Sequence, residues 1–133
     1  VSVLLVEPEG WPRPSGYADG ALARGRVLAV AGQVGWDPLT RRIETEDLAA
    51  QALQALRNVA AVLGAAGAKP SHVVRLTWYV TDREAYLEGR KAIGRAYREV
   101  FGSHYPAMAV VVVSGLVEPR ARVEIEATAV LPE

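Results

Sequence analysis

At 133 residues, half of them hydrophobic and 23% charged, the chain has the length and balance of one globular domain spanning residues 1–133. Its formal net charge is zero and it has no block of five like charges. That argues against nucleic acid or an anionic membrane as the main partner, since both reward a basic surface, and the lack of cysteine excludes disulfides, thiol nucleophiles and thiolate metal sites.

No apolar run approaches the ~20 residues that a membrane helix needs. The first residues carry no basic stretch followed by a long apolar core, so a cytoplasmic protein with no membrane partner is expected.

In chain order, residues 3–6 (VLLV) read as a short strand. Pro8, Gly10, Pro12, Pro14 and Gly16 then leave no room for a helix. Residues 17–23 and 26–31 read as two strands joined at Arg24-Gly25, a hairpin. The following segment, Gly32 to Pro38, reads as a loop that presents Trp36.

The first helix is clear. Thr45 is its expected cap, and Leu48, Ala52, Leu56, Val59 and Leu63 form one apolar stripe at three- and four-residue steps. Gly67 and Pro70 end it. Residues 72–80 alternate as a strand, with Val74, Leu76, Trp78 and Val80 on one face and Arg75, Thr77 and Tyr79 on the other. A second helix opens at the capping box Thr81–Glu84, buries Tyr86, Ile93, Tyr97, Val100 and Phe101, and stops at Gly102. Arg90, Lys91, Arg95 and Arg98 read as its solvated face.

Two strands close the chain. Residues 107–113 (AMAVVVV) are apolar throughout, so both sides of this strand need a cover. Residues 122–131 alternate, placing Val123, Ile125, Ala127 and Ala129 on one face and Arg122, Glu124, Glu126 and Thr128 on the other. The order is β-β-β-α-β-α-β-β. Two helices with one apolar stripe each cover one face of a mixed sheet of about six strands, giving a two-layer α+β sandwich. The uncovered sheet face and the valine strand point to a second subunit in a closed symmetric oligomer.

Glu124 leads as the catalytic candidate. It shares a strand face with Glu126, and repulsion between the two carboxylates or burial would raise a pKa toward that of a proton shuttle. Arg122, on the same face, is a candidate anion binder, as are Arg75 and Arg120. His72 and His104 have no metal-ligand spacing, and no phosphate-binding glycine loop or Ser/His/Asp set is present.

Several short motifs, correctly ordered, resemble the Rid family of reactive intermediate deaminases, also called endoribonuclease-like or translation-inhibitor-like proteins. They are Gly32-Gln33, Tyr105-Pro106-Ala107 and Val123-Glu124-Ile125-Glu126-Ala127. The resemblance spans essentially the whole chain. It implies a chorismate-mutase-like fold, a homotrimer with a cleft between each pair of subunits, and hydrolysis of imines and enamines to keto acids and ammonia. It also implies no metal and no organic cofactor. It assigns Glu124 to the glutamate that positions or activates water, and Tyr17 to the tyrosine lining the cleft. Tyr105 and Trp36 are further candidates for substrate contact. Met108 stands where the archetype has a carboxylate-binding arginine, and Ala31 where it has a hydroxyl residue, so the chain resembles the subgroups that lack the arginine. A thioether cannot make an arginine's paired, charge-assisted bonds.

The leading expectation is a deaminase-like hydrolase of 2-aminoacrylate- or 2-aminomuconate-type intermediates. The alternative is a non-catalytic trimer that binds a small molecule in the same cleft. RNA cleavage or translation inhibition is disfavoured by the neutral charge and the absence of a histidine pair.

Overall fold

The computed structural model describes residues 3–133. Its strands are β1 (Val3–Val6), β2 (Gly20–Ala23), β3 (Arg26–Val34), β4 (Val73–Val80), β5 (Ala107–Val112) and β6 (Val123–Leu131). Helix α1 (Leu48–Ala65) precedes β4, and α2 (Arg83–Glu88) and α3 (Arg90–Phe101) link β4 to β5. Four strands form a mixed sheet in the order β3-β6-β4-β5, in which only the β4–β5 pair is parallel. The other two strands, β1 and β2, form an antiparallel ribbon. The expected α+β two-layer architecture is present, with its six strands divided between sheet and ribbon.

The helices cover one face of the sheet. The α1 stripe of Leu48, Ala52, Leu56, Val59 and Leu63 is buried as the periodicity predicts. It meets Leu76, Trp78 and Val80 of β4 and Val123, Ile125, Ala127 and Ala129 of β6. Each fully buried leucine contributes about 1.5–3 kcal/mol over leaving it in water. The opposite sheet face carries Arg75, Thr77 and Tyr79 beside Glu124, Glu126 and Thr128. Arg57 of α1 and Glu99 of α3 form an exposed ion pair, an arrangement worth little by itself.

Local chemistry corrects several sequence expectations. The strands on either side of Arg24-Gly25 do not form a hairpin: β2 pairs with β1, and β3 with β6. Gly25 serves a distant contact instead. With φ at 145°, it presses against the carbonyl of Leu131, and a Cβ there would lie only 2.8 Å from that carbonyl carbon. The expected loop at Gly32-Gln33 is the continuation of β3 to Val34. Its register shifts between Val30 and Gln33, so Ala31 and Gly32 together stand opposite Glu126 in a bulge.

In β4, Val73 rather than Val74 is fully buried, because the register shifts between Val73 and Arg75. Asp47, not Thr45, caps α1. Its Oδ2 accepts from the backbone N–H of Ala50 at 2.9 Å, while the Thr45 hydroxyl accepts from that of Asp47. The single second helix is two, broken at Gly89, and Asp82 caps the first by accepting from Ala85 at 3.1 Å.

The valine strand β5 lies at the sheet edge. Val110, Val111 and Val112 are 36%, 40% and 50% exposed within this one chain. Leu4, Leu5, Val6 and Leu22 of the ribbon are exposed too. Among the described residues no helix is long and apolar enough to cross a membrane.

Candidate functional site

A cleft of about 640 Å³ opens on the helical side of the sheet, between β5, α2, α3 and the segment at 15–17. The chain enters it where the backbone N–H of Ala18 donates to the Pro106 carbonyl at 2.9 Å, which docks that segment beside β5. Tyr17 is thereby brought to the cleft, together with Tyr105 and Met108. Met108 faces inward because it pairs with Leu76, whose side chain points into the core.

The α3 wall adds Arg90, Ile93, Gly94, Tyr97 and Arg98. Tyr97 stacks on Tyr105 with centroids 5.1 Å apart and planes 15° from parallel. Its hydroxyl donates to the His104 carbonyl at 2.5 Å, and His104 Nε2 lies 2.8 Å from the Val73 carbonyl. Burial pushes the Tyr97 phenol well above its ordinary range. Burial also raises Tyr86, against the opposing pull of Arg90. Trp78 completes the inner wall. It is 3% exposed, and its indole N–H has no hydrogen-bond partner.

Glu124 lies elsewhere, on the opposite sheet face, opposite Val34 on one side and Tyr79 on the other. It is half-buried, and its carboxylate occupies space above Gly32 that a side chain there would fill. Among the described residues no basic group lies within ion-pairing distance of it. Glu126 is engaged by Tyr79, whose hydroxyl donates to Oε1 at 3.0 Å. That bond is the main cause holding the Tyr79 phenol above its ordinary pKa.

Trp36 and Arg122 sit apart from both places. Trp36 packs with Val34, Ile43 and Ala121, and the Arg41 guanidinium lies 5.1 Å from its ring centroid. Arg122 donates to the Glu46 carbonyl at 3.1 Å and lies 3.9 Å from the Asp82 carboxylate. Arg120 donates to the Ile43 carbonyl. These three tie the loops around the start of α1. Buried Gln51 completes the knot, donating to the carbonyls of Thr45 (2.8 Å) and Arg120 (3.1 Å) and accepting from the N–H of Arg122 (2.8 Å).

One chain therefore gathers Tyr17, Tyr105 and Met108 and keeps Glu124 on the other side of the sheet. Sequence reasoning missed Arg90, Gly94 and Arg98 as cleft residues. Their four-residue spacing was the available signal, since it places them along one side of a helix beside Tyr97.

Comparison with known proteins agrees with this architecture. The family model described as Endoribonuclease L-PSP matches residues 12–131. A RutC family protein of Pyrococcus horikoshii is 36% identical over 125 residues, covering 94% of this chain and 95% of that one. The human 2-iminobutanoate/2-iminopropanoate deaminase is 32% identical over 105 residues, covering 79% of this chain and 73% of its own. The crystal structure of a protein of unknown function from Yersinia pestis, YyfB of the conserved Rid protein family, superposes with a TM-score of 0.87 at 34% identity. It covers 98% of this chain and 100% of its own. The chain belongs to the endoribonuclease L-PSP family, the Rid family that its Tyr105-Pro106-Ala107 and Val123–Ala127 motifs resemble.

Proposed function

We propose that this protein hydrolyses small reactive imines and enamines, of the 2-aminoacrylate or 2-aminomuconate type, in clefts between the subunits of a homotrimer. The observation that carries the reading is the free, half-buried carboxylate of Glu124, seated over Gly32 at a bulge. Such a group can take a proton from water and return it. The names of the deaminase relatives support the same chemistry.

Glu124 and the Tyr17–Met108 cleft are separated by the sheet, so they act together only if two chains contribute. The exposed valines of β5 and the exposed ribbon offer the apolar surface for that assembly. In the proposed reaction, water adds to the imine carbon as Glu124 accepts its proton. The proton passes to nitrogen, giving a carbinolamine. The hydroxyl proton then moves through the same carboxylate to the amino group as the C–N bond breaks, so that ammonia leaves and the carbonyl forms. Enamines enter after tautomerising to the imine. A positioned carboxylate in this role contributes about 10²–10⁴-fold.

The test combines imines generated in situ by an amino-acid oxidase or a dehydratase, and separately added 2-aminomuconate, with wild type and Glu124→Gln. Accelerated decay that Glu124→Gln abolishes is expected, together with a trimer in sedimentation. Mixing Glu124→Gln subunits with subunits altered at Tyr17 restores part of the activity if two chains build each site.

A second reading is a trimer that binds a small molecule without turning it over. Met108 favours it, because that position bears no charge to hold a carboxylate. A wild type inert on the whole imine panel, with activity gained by Met108→Arg, would put this second reading first.

A further inference from the structure

We infer that Arg90 and Arg98 of α3 form the carboxylate anchor of the cleft, and that its ligand is a 2-imino or 2-oxo acid carrying an aromatic or large apolar side chain. The imino form rests on the proposed imine chemistry; the anchor and the apolar preference rest on the cleft alone.

Charge gives the first argument. The two arginines line the open cleft and no aspartate or glutamate does, so it favours an anion over a cation. Neither guanidinium is in an ion pair among the described residues; Arg90 donates only to the Leu87 carbonyl, at 3.2 Å through Nε. The terminal nitrogens of both remain available for paired bonds to a carboxylate.

Shape gives the second. Arg90 and Arg98 stand two helical turns apart, about 12 Å along α3, with Gly94 between them. Glycine weakens a helix interior relative to alanine. The Arg98 side chain lies back along α3 toward the Arg90 end: a Cβ at Gly94 would stand 3.4 Å from one of its terminal nitrogens, so the guanidinium rests beside Gly94, between the two positions.

The lining gives the third. Tyr17, Trp78, Tyr86, Tyr97 and Tyr105 supply five aromatic rings, and Met108 adds a polarizable thioether. Such a wall gains little from a methyl group and much from a ring. The unpartnered indole N–H of Trp78 is a donor that the wall itself leaves unsatisfied.

The test is equilibrium titration calorimetry on the assembled protein with three stable probes: phenylpyruvate, pyruvate and 4-phenylbutan-2-one. Phenylpyruvate is expected to bind about tenfold or more tightly than pyruvate, which lacks the ring, and than the ketone, which lacks the charge. The double variant Arg90→Gln/Arg98→Gln is expected to weaken phenylpyruvate about tenfold or more and to leave the ketone unchanged. Equal or tighter binding of pyruvate, or an unchanged phenylpyruvate affinity in the double variant, overturns the inference. If the arginine-dependent binding is present and no imine is hydrolysed, the anchor stands and the hydrolase reading falls. If small imines are hydrolysed and the arginines have no effect on binding, the hydrolase reading stands and the anchor falls.

Discussion

The carboxylate of Glu124 occupies the volume that a side chain at Gly32 would need: a Cβ on Gly32 would lie 2.8 Å from the carboxylate carbon. A glycine at the bulge of β3 thus fixes where the carboxylate of β6 can lie. Gly32→Ala is expected to displace Glu124 and to reduce imine hydrolysis about tenfold or more. Stability should change by roughly 1 kcal/mol or less, because Gly32 lies on the exposed side of an edge strand. Comparing kcat with the thermal midpoint separates the two. A loss of stability without a loss of kcat would mean that the contact only packs.

Gln51 is fully buried and satisfies three backbone groups from two loops. Gln51→Leu keeps the volume and removes those bonds, leaving the Thr45 and Arg120 carbonyls and the Arg122 N–H unpaired. At about 1–3 kcal/mol for each unsatisfied buried group, the loss should reach about 3 kcal/mol or more in urea denaturation. Arg122 lies two residues before Glu124, so activity should fall as well. An unchanged denaturation midpoint would show that water satisfies those groups.

The alkaline limb of stability should depend on Tyr97. Burial raises its phenol above the ordinary value of 10.0, so the folded state keeps the proton after the unfolded chain has lost it. Stability from this group is full below pH 10 and is lost as pH rises from there through the folded-state pKa. Tyr97→Phe removes the bond to the His104 carbonyl, costing about 1 kcal/mol near neutrality, and flattens the decline above pH 10. Thermal melts of both proteins at pH 8 and pH 10.5 check this. An equally steep decline in the variant would assign the alkaline loss to other groups, Tyr79 and Tyr86 among them.

How much of this was legible depended on range. The α1 stripe and the alternation of β6 are local periodicities: every residue of the stripe is buried, with Gln51, Ala55 and Asn58 beside it, and β6 alternates from Val123 to Ala129. Gly25 read as a hairpin turn because its own contact, with Leu131, lies at the far end of the chain. The bulge at Ala31 and Gly32 hid the last three residues of β3, since an inserted residue breaks the period that marks a strand. The family motifs named Tyr17, Tyr105 and Glu124 as candidates, and the alternation of β6 already put Glu124 on the face away from its apolar residues. That Tyr17 and Tyr105 lie on the helical side depends on how residues 15–18 dock beside β5, which no local pattern shows. Arg90 and Arg98 had the spacing of a solvated helix face, and only the position of β5 turns that face into a cleft wall.

Met108 offers the most direct test of what the cleft recognises. It faces the helical side of β5, half-buried against Leu76 and the core, in a space shared with Tyr17 and Tyr105. Met108→Arg would place a guanidinium among those rings, where it can stack on them and form paired bonds with a short carboxylate. It would also add a third positive charge to a wall that already holds Arg90 and Arg98, so some stability is lost, about 1–2 kcal/mol. The expected gain is in small ligands: pyruvate binding and hydrolysis of the alanine-derived imine should both rise, while phenylpyruvate weakens as the longer side chain fills the space for its ring. Calorimetry and imine decay on the same preparation measure both. A variant that folds but gains nothing on small acids would mean that residue 108 does not meet the ligand's carboxylate at all, and that the charge on the cleft wall is set from α3 alone.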